Sequence, residues 1–182
     1  MIFFQKKFFS DQQGFTALEL VIVAGIMAFL LVLVLSNFRG FEQRSALDGE
    51  TDKLASVLRQ AQIWALTGQT SSATRYSYGV HLAKCASGSC VYILFRDTET
   101  GGNKLYDAGE EVVSYTLPQG VYVDSLTPNI SNQSDIVFLA PLGLVYINGA
   151  VSASEEAIVL KHTTGRQKSV TVNRVSGQIN VQ

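Results

Sequence analysis

The chain has 182 residues, of which 47% are apolar and 16% are charged, whereas roughly 25% are charged in ordinary soluble domains. This composition excludes a simple soluble domain and indicates about one domain plus an unusually apolar segment. The formal net charge of −1 excludes a chain that binds nucleic acid through an overall basic composition.

The apolar excess is concentrated near the amino terminus. Residues 20–38 carry no charge, and residues 20–35 are all apolar except for Gly25. A helix over 15–38 would be roughly 36 Å long at 1.5 Å per residue, which is long enough to cross a bilayer. No small-residue cleavage site follows this run, so we expect it to be retained in the mature protein. Because Lys6 and Lys7 precede it, we expect a cytoplasmic amino terminus and an exported carboxyl-terminal part.

Glu19 lies at the start of this apolar run, where a carboxylate is costly. One interpretation places it at the membrane interface. The other interpretation is that Glu19 gains a partner on assembly. Cleavage after Gly14 would leave a free amine on Phe15, and the Glu19 carboxylate of a neighbouring subunit could pair with that amine.

The segment from Gly14 to Ile22 (GFTALELVI) resembles the processing signature of type IV prepilins and type II secretion pseudopilins: a basic leader ending in Gly, then Phe, a Glu at the fifth mature position and an apolar helix. The resemblance implies cleavage by prepilin peptidase after Gly14, N-methylation of Phe15 and an assembly contact through Glu19. It also implies removal of a leader over 1–14 and a filament-core helix over 15–38.

An amphipathic pattern continues this helix over 39–68. Apolar residues recur at helical spacing along one stripe, formed by Leu47, Leu54, Val57, Leu58, Ala61, Trp64 and Ala65. Charged residues, among them Glu50, are expected largely off that stripe. Gly68 is a plausible stop signal.

After Arg75 the spacing of apolar residues changes from the helical period to a pattern typical of strands. We predict strands over 76–82, 91–95, 111–117, 120–123, 136–139, 145–147, 157–162, 169–175 and 178–181, separated by Pro- and Gly-containing turns. Cys85 and Cys90 lie between the first two strands, and in an exported domain this spacing favours a disulfide that closes a hairpin tip and contributes about 2 kcal/mol. A redox-active pair is the alternative, but such pairs favour the tighter Cys-x-x-Cys spacing.

These elements predict an α+β fold in which one long amino-terminal helix, half apolar and half amphipathic, packs on an antiparallel β-sheet domain over 69–182. Within the pilin class, several motifs are similar to those of GspH/FimT-type minor pseudopilins: LRQAQ at 58–62, YGV at 78–80, the acidic loop from Phe95 to Glu110, FLAPLG at 138–143, and the tail from Thr164 to Gln178. The resemblance covers most of the chain and implies the pilin fold.

Catalysis and cofactor binding find no support in the sequence. The acidic residues between Asp97 and Glu111 suggest calcium, but Gly101 and Ala108 fall where the EF-hand pattern needs oxygen ligands, so we predict a solvated hairpin loop and no metal site. Neither histidine lies in a nucleophile motif, and no phosphate-binding or dinucleotide motif occurs.

The carboxyl-terminal segment is basic, because Lys161, Arg166, Lys168 and Arg174 occur with no acidic residue after Glu156. FimT-like minor pilins of DNA-uptake pili are similar in carrying basic residues there, so DNA is one candidate partner. The favoured alternative is four ordinary surface cations.

The sequence therefore predicts a non-enzymatic structural subunit without cofactor. By the resemblance, its partners are prepilin peptidase, other pilin or pseudopilin subunits, an inner-membrane assembly platform and, before assembly, membrane lipid. The expected location is the inner membrane as a single-pass protein, and then a periplasmic pseudopilus or an extracellular pilus. A DNA-binding minor pilin is the alternative function.

Overall fold

The computed structural model of the chain describes residues 15–68, 75–86, 89–98, 102–128 and 132–182. The predicted leader over 1–14, including Gly14 of the expected cleavage site, lies outside the described residues. The chain divides into two units, Met1–Phe41 and Glu42–Gln182, and each is described by itself.

One α-helix, α1, extends over Ala17–Thr67. Gly68 follows it with a φ of 67°, and its N–H donates to the Trp64 carbonyl at 3.0 Å. Glycine adopts this left-handed conformation without steric cost, which explains why the helix ends at the predicted stop signal. Side chains at 36–41 and 43 are outside the description.

Nine strands follow in the described residues: β1 (Ser77–Ala83), β2 (Val91–Asp97), β3 (Glu111–Thr116), β4 (Val121–Thr127), β5 (Gln133–Leu139), β6 (Leu144–Ile147), β7 (Glu155–His162), β8 (Gln167–Asn173) and β9 (Ile179–Val181). In the described residues, neighbouring strands pair antiparallel. They form a five-stranded sheet in the order β3-β2-β1-β5-β6 and a four-stranded sheet in the order β4-β7-β8-β9. The predicted α+β class with an antiparallel β-domain is thus confirmed, and the strands of that domain form two sheets.

The core of the second unit lies between the amphipathic part of α1 and the two sheets. Buried side chains of the helix stripe join the inner residues of the strands in one apolar cluster, in which Leu54, Leu58, Leu94, Ile136 and Leu160 are fully buried. On β7 the burial alternates strictly along the strand, as expected where one face of a sheet packs on the core.

One detail of the helix prediction was wrong. Glu50 was expected off the apolar stripe, but it is buried, with 7% of its surface exposed. The Tyr92 hydroxyl donates to its carboxylate at 2.9 Å, and Lys53 Nζ lies 3.4 Å from it. These partners offset the desolvation of the carboxylate, and burial beside that charge raises the pKa of the Tyr92 phenol.

The predicted disulfide is confirmed. Cys85 and Cys90 are bonded and lie at the tip of the β1–β2 hairpin, whose strands pair antiparallel from Ser77↔Asp97 to Leu82↔Tyr92. The described residues contain no free cysteine.

Candidate functional site at the start of the apolar helix

The amino-terminal end of α1 is organised by Thr16. The Thr16 hydroxyl accepts the Glu19 N–H at 3.2 Å, and its carbonyl accepts the Leu20 N–H at 3.2 Å, so Thr16 is the N-cap. The Thr-x-x-Glu spacing also matches a capping box, in which a Glu at the third helical position favours the helix start. The Thr-x-x-Glu spacing in the sequence is a signal for this local role of Thr16 and Glu19, which the resemblance to prepilins did not include.

Phe15 and Glu19 are both presented outward in the first unit. Phe15 precedes the helix and is 80% exposed, and Glu19 lies exposed in the first helical turn. Unsatisfied N–H groups at a helix start carry a partial positive charge, which a nearby carboxylate stabilises and an additional cation destabilises. An amine on Phe15 would therefore add positive charge at this end of α1, which a nearby carboxylate would stabilise.

Residues Ala17–Leu35 form the single described segment that is long and apolar enough to cross a membrane, with a mean hydropathy of 2.9. Length and composition alone fit a signal sequence as well. Every large apolar side chain from Leu18 to Leu35 is at least 47% exposed, and none of the segment is buried within the chain. Because burying one such side chain is worth about 1.5 to 3 kcal/mol, this surface requires lipid or protein to cover it.

The basic carboxyl-terminal residues do not form one patch. Lys168 Nζ lies 3.1 Å from Asp48 on α1, and Lys161 Nζ lies 3.8 Å from Asp124 on β4. Lys168 is opposite Leu160 in the β7–β8 register and therefore shares the inner face of the sheet with that buried residue. Lys161, the next residue along β7, points to the other face.

Arg166 and Arg174 flank β8 at opposite ends. They are eight positions apart in the sequence, so at about 3.3 Å per residue roughly 26 Å separate them. Arg174 Nε donates to the Ala153 carbonyl at 2.7 Å, whereas Arg166 is exposed in the β7–β8 turn. DNA binding by these cations stays the less favoured alternative, and the fold disperses the positive charge on which it depends.

Two buried carboxylates, Asp97 and Glu110, flank the acidic loop between β2 and β3, whereas most of its described residues (103, 105 and 107–109) are exposed, as predicted for a solvated loop. Glu110 is 6% exposed and accepts hydrogen bonds from the Thr98 N–H at 2.7 Å and the Asp107 N–H at 3.2 Å. Asp97 is 4% exposed and accepts the Lys104 N–H at 3.2 Å. In the described residues no group of three or more His, Cys, Asp or Glu side chains could hold a metal ion.

A second polar cluster lies on the five-stranded sheet. His81 Nδ1 is 2.7 Å from Asp135 Oδ1, and the Tyr106 ring lies 4.7 Å from the His81 ring between centroids. The Tyr106 hydroxyl donates to Glu111 at 2.6 Å, and this hydrogen bond raises the pKa of Tyr106 to about 12. The other histidine, His162, accepts the Thr164 N–H at Nδ1.

A comparison with models of protein families gives no match to the chain. Comparisons with curated proteins and with solved structures give none either. The chain's own residues carry the functional information, above all an apolar helix that starts with an N-cap and an exposed carboxylate and whose surface no other part of the chain covers.

Proposed function

We propose that this chain is a structural subunit of the pilin or pseudopilin class, inserted in the inner membrane, processed between Gly14 and Phe15, N-methylated at Phe15, and assembled into a pseudopilus or pilus through its apolar helix. The observation that carries this proposal is the uncovered apolar surface of Ala17–Leu35, which begins next to the exposed Glu19 carboxylate.

Processing and assembly are linked through charge. Cleavage after Gly14 removes Lys6 and Lys7 and creates a positive amine on Phe15, next to the positive end of the α1 dipole. In the proposed contact, Glu19 of a neighbouring subunit neutralises that amine. A carboxylate at the edge of lipid is costly, so pairing on assembly favours the filament over the isolated membrane subunit.

Residues 20–38 would form the filament core, in which neighbouring helices replace lipid around the exposed side chains. The second unit would lie in the exported compartment, where the Cys85–Cys90 disulfide is stable. In this role the chain needs no catalytic group and no cofactor. The pilin fold belongs to the same proposal: a long helix that starts apolar and continues into a helix stripe packed on antiparallel sheets supports it.

Processing is tested by intact-mass measurement of the full chain made with and without prepilin peptidase. We expect the loss of residues 1–14 and the gain of one methyl group only when the peptidase is present. Gly14→Ala should slow or block the cleavage. Gly25→Ala is the matched control, because an added Cβ at Gly25 meets nothing within 4 Å. Retention of residues 1–14 with active peptidase would indicate a signal-anchored protein instead.

Assembly is tested with Glu19→Gln, which keeps the side-chain shape and removes the charge. We expect normal membrane insertion and cleavage but loss from sheared or purified filaments. Thr16→Ala is the control for helix capping, since it removes the N-cap hydroxyl and leaves the Glu19 carboxylate. If Thr16→Ala and Glu19→Gln were equally defective, capping would explain both results and the pairing mechanism would be wrong.

A further inference from the structure

The two sheets have four edge strands, and two of these edges are covered by other parts of the chain. On β4, the Val123 carbonyl accepts the Cys85 N–H at 3.2 Å, and the Val123 N–H approaches Cys85 Sγ at 3.4 Å. On β9, Arg59 of α1 donates to the Ile179 carbonyl at 3.2 Å. Such covers prevent an edge from pairing with another chain.

The edge at β6 is closed at one end and the edge at β3 is open. Ile147 exchanges two backbone hydrogen bonds with Ala150, at 3.1 and 3.0 Å, so the end of β6 is occupied by its own turn. Along β3 every residue is exposed except the half-buried Tyr115. No hydrogen bond within the described ranges covers its outer side, and β3 contains neither Pro nor Lys, two of the residues that protect edges.

The hydrogen bonds of β3 define which groups point outward. The Leu117 N–H donates to the Cys90 carbonyl at 2.8 Å, so the backbone of Leu117 faces β2. Because backbone groups alternate in direction along a strand, Tyr115 also faces β2, in register with Tyr92, whereas Ser114 and Thr116 face away. The register shifts between Leu94 and Phe95, so regular pairing holds from residue 113 onward.

We propose that a second copy of this chain pairs antiparallel with β3, with the two-fold axis at Tyr115, so that Ser114 of each copy faces Thr116 of the other. In this register every backbone N–H and C=O group that points outward in the regular part of β3 is paired, which gives about four backbone hydrogen bonds. It joins the two five-stranded sheets edge to edge. The pairing goes beyond the proposed function, because it needs only the second unit of the chain.

The side chains of β3 complement themselves in this register. Tyr115 faces Tyr115 of the second copy, and each ring already stacks on Tyr92 with centroids 5.1 Å apart, so four rings come together. Glu111, the one charged residue of β3, faces an uncharged residue, Gln119, of the other copy. Val113, which is 39% exposed, comes opposite Leu117.

Two short strands bury less area than a standard protein interface, so the dimer is weak for freely diffusing chains. Anchoring in one membrane or filament raises the local concentration and favours the same contact. The pairing is therefore tested with the full chain in membranes, where a cross-link traps it.

The first experiment places a single thiol at the axis. In an antiparallel pair that is not hydrogen-bonded, facing Cα atoms are about 4.5 Å apart, which fits a disulfide. Tyr115→Cys should cross-link under mild oxidation at least roughly tenfold faster than Ser152→Cys, an exposed control outside the sheets, because its thiols face each other. Equal rates would overturn the pairing. Faster cross-linking of Ser114→Cys than of Tyr115→Cys would overturn the register.

The second experiment changes charge across the interface without touching the core, since Ser114 and Thr116 are both exposed. In the Tyr115→Cys background, Ser114→Lys with Thr116→Lys puts like charges opposite each other and should reduce the cross-linking rate to that of Ser152→Cys. Ser114→Lys with Thr116→Glu should restore it. An unchanged rate in the double-lysine variant would overturn the proposal. All rates are repeated with Glu19→Gln, so that failure of helix-driven assembly is distinguished from failure of the β3 contact.

Discussion

Glu156 makes the stability of the second unit depend on pH in the direction opposite to that of most acidic side chains. It lies on β7 and is fully buried, and neither carboxylate oxygen has a hydrogen-bond partner in the described part of the chain. Burial raises its pKa from 4.5 to about 7. The Ser134 hydroxyl on β5 acts the other way, but it is outside hydrogen-bonding geometry, so burial dominates.

The direction of this pH dependence follows from the number of protons that Glu156 binds in the folded and in the unfolded chain. Between pH 4.5 and about 7 the folded chain keeps the Glu156 proton while the unfolded chain has released it. The folded state then binds more protons, so the free energy of unfolding falls as the pH rises through this window and levels off above it. At about 1.4 kcal/mol per pH unit, the difference between the ends of the window is about 3 kcal/mol. Domains are stable by only about 5 to 15 kcal/mol, so this loss is large.

Glu156→Gln removes the ionisation and nearly keeps the shape. We expect the variant to unfold with a free energy close to that of the native chain at about pH 4.5, and to be more stable by about 3 kcal/mol at about pH 8. Both free energies of unfolding are measured by denaturant unfolding of the full chain in detergent, with the fluorescence of the single tryptophan, Trp64, as the signal. The Trp64 ring packs against Tyr78 at 5.4 Å, so its emission reports on the core.

Glu155→Gln is the matched control, because Glu155 is the neighbouring residue on β7 and is exposed. Its difference from the native chain should stay within about 0.5 kcal/mol at both pH values. The two histidines are common to all three chains, so their contributions cancel in the differences. A Glu156→Gln variant whose advantage did not grow between pH 4.5 and pH 8 would refute the buried-carboxylate argument.

Three further predictions concern packing, covalent closure and charge. Gly79→Ala should destabilise the chain by about 1 to 3 kcal/mol in the same unfolding assay, because its Cβ would lie 2.7 Å from the Phe95 ring, whereas Gly49→Ala, with nothing within 4 Å, should stabilise the helix by about 0.5 to 1 kcal/mol. Replacing both Cys85 and Cys90 by Ser should cost about 2 kcal/mol, and an unchanged denaturation midpoint would contradict this. The full chain should not retain duplex DNA in gel-shift assays at low salt, and retention that Arg166→Ala abolishes would show this expectation to be wrong.

Local patterns in the sequence were sufficient to predict the helix and the strands. Apolar residues at helical spacing predicted the buried stripe of α1, and β-branched and aromatic runs between turns predicted the nine strands to within a few residues. The disulfide followed from two cysteines at one hairpin tip. The division into two sheets could not be predicted from the sequence. It depends on pairings between distant strands, such as β1 with β5, which no local periodicity specifies.

The buried acids were the main misses, and the reason is physical. Glu50 and Glu110 are buried because Tyr92 and Thr98 donate to them, and these donors lie 42 and 12 positions away in the sequence. A pattern that counts acidic residues as exposed has no information about such distant donors. Only folding, which brings the donor to the acid, decides which carboxylates lie inside.

The carboxylates of Glu156 and Glu19 both lack a hydrogen-bond or ion-pair partner in the described residues, but their surroundings differ. Glu156 is sealed in the core, so the cheapest way to remove its charge is to bind a proton, and the consequence is confined to the stability of the fold. Glu19 is exposed at the start of an apolar helix, where another molecule can reach its carboxylate. In the proposed assembly, a neighbouring subunit would present a positive group to Glu19 and cover the apolar surface with its own helix. The proposed assembly would thus be favoured by the two features that make the isolated helix costly in water and in lipid.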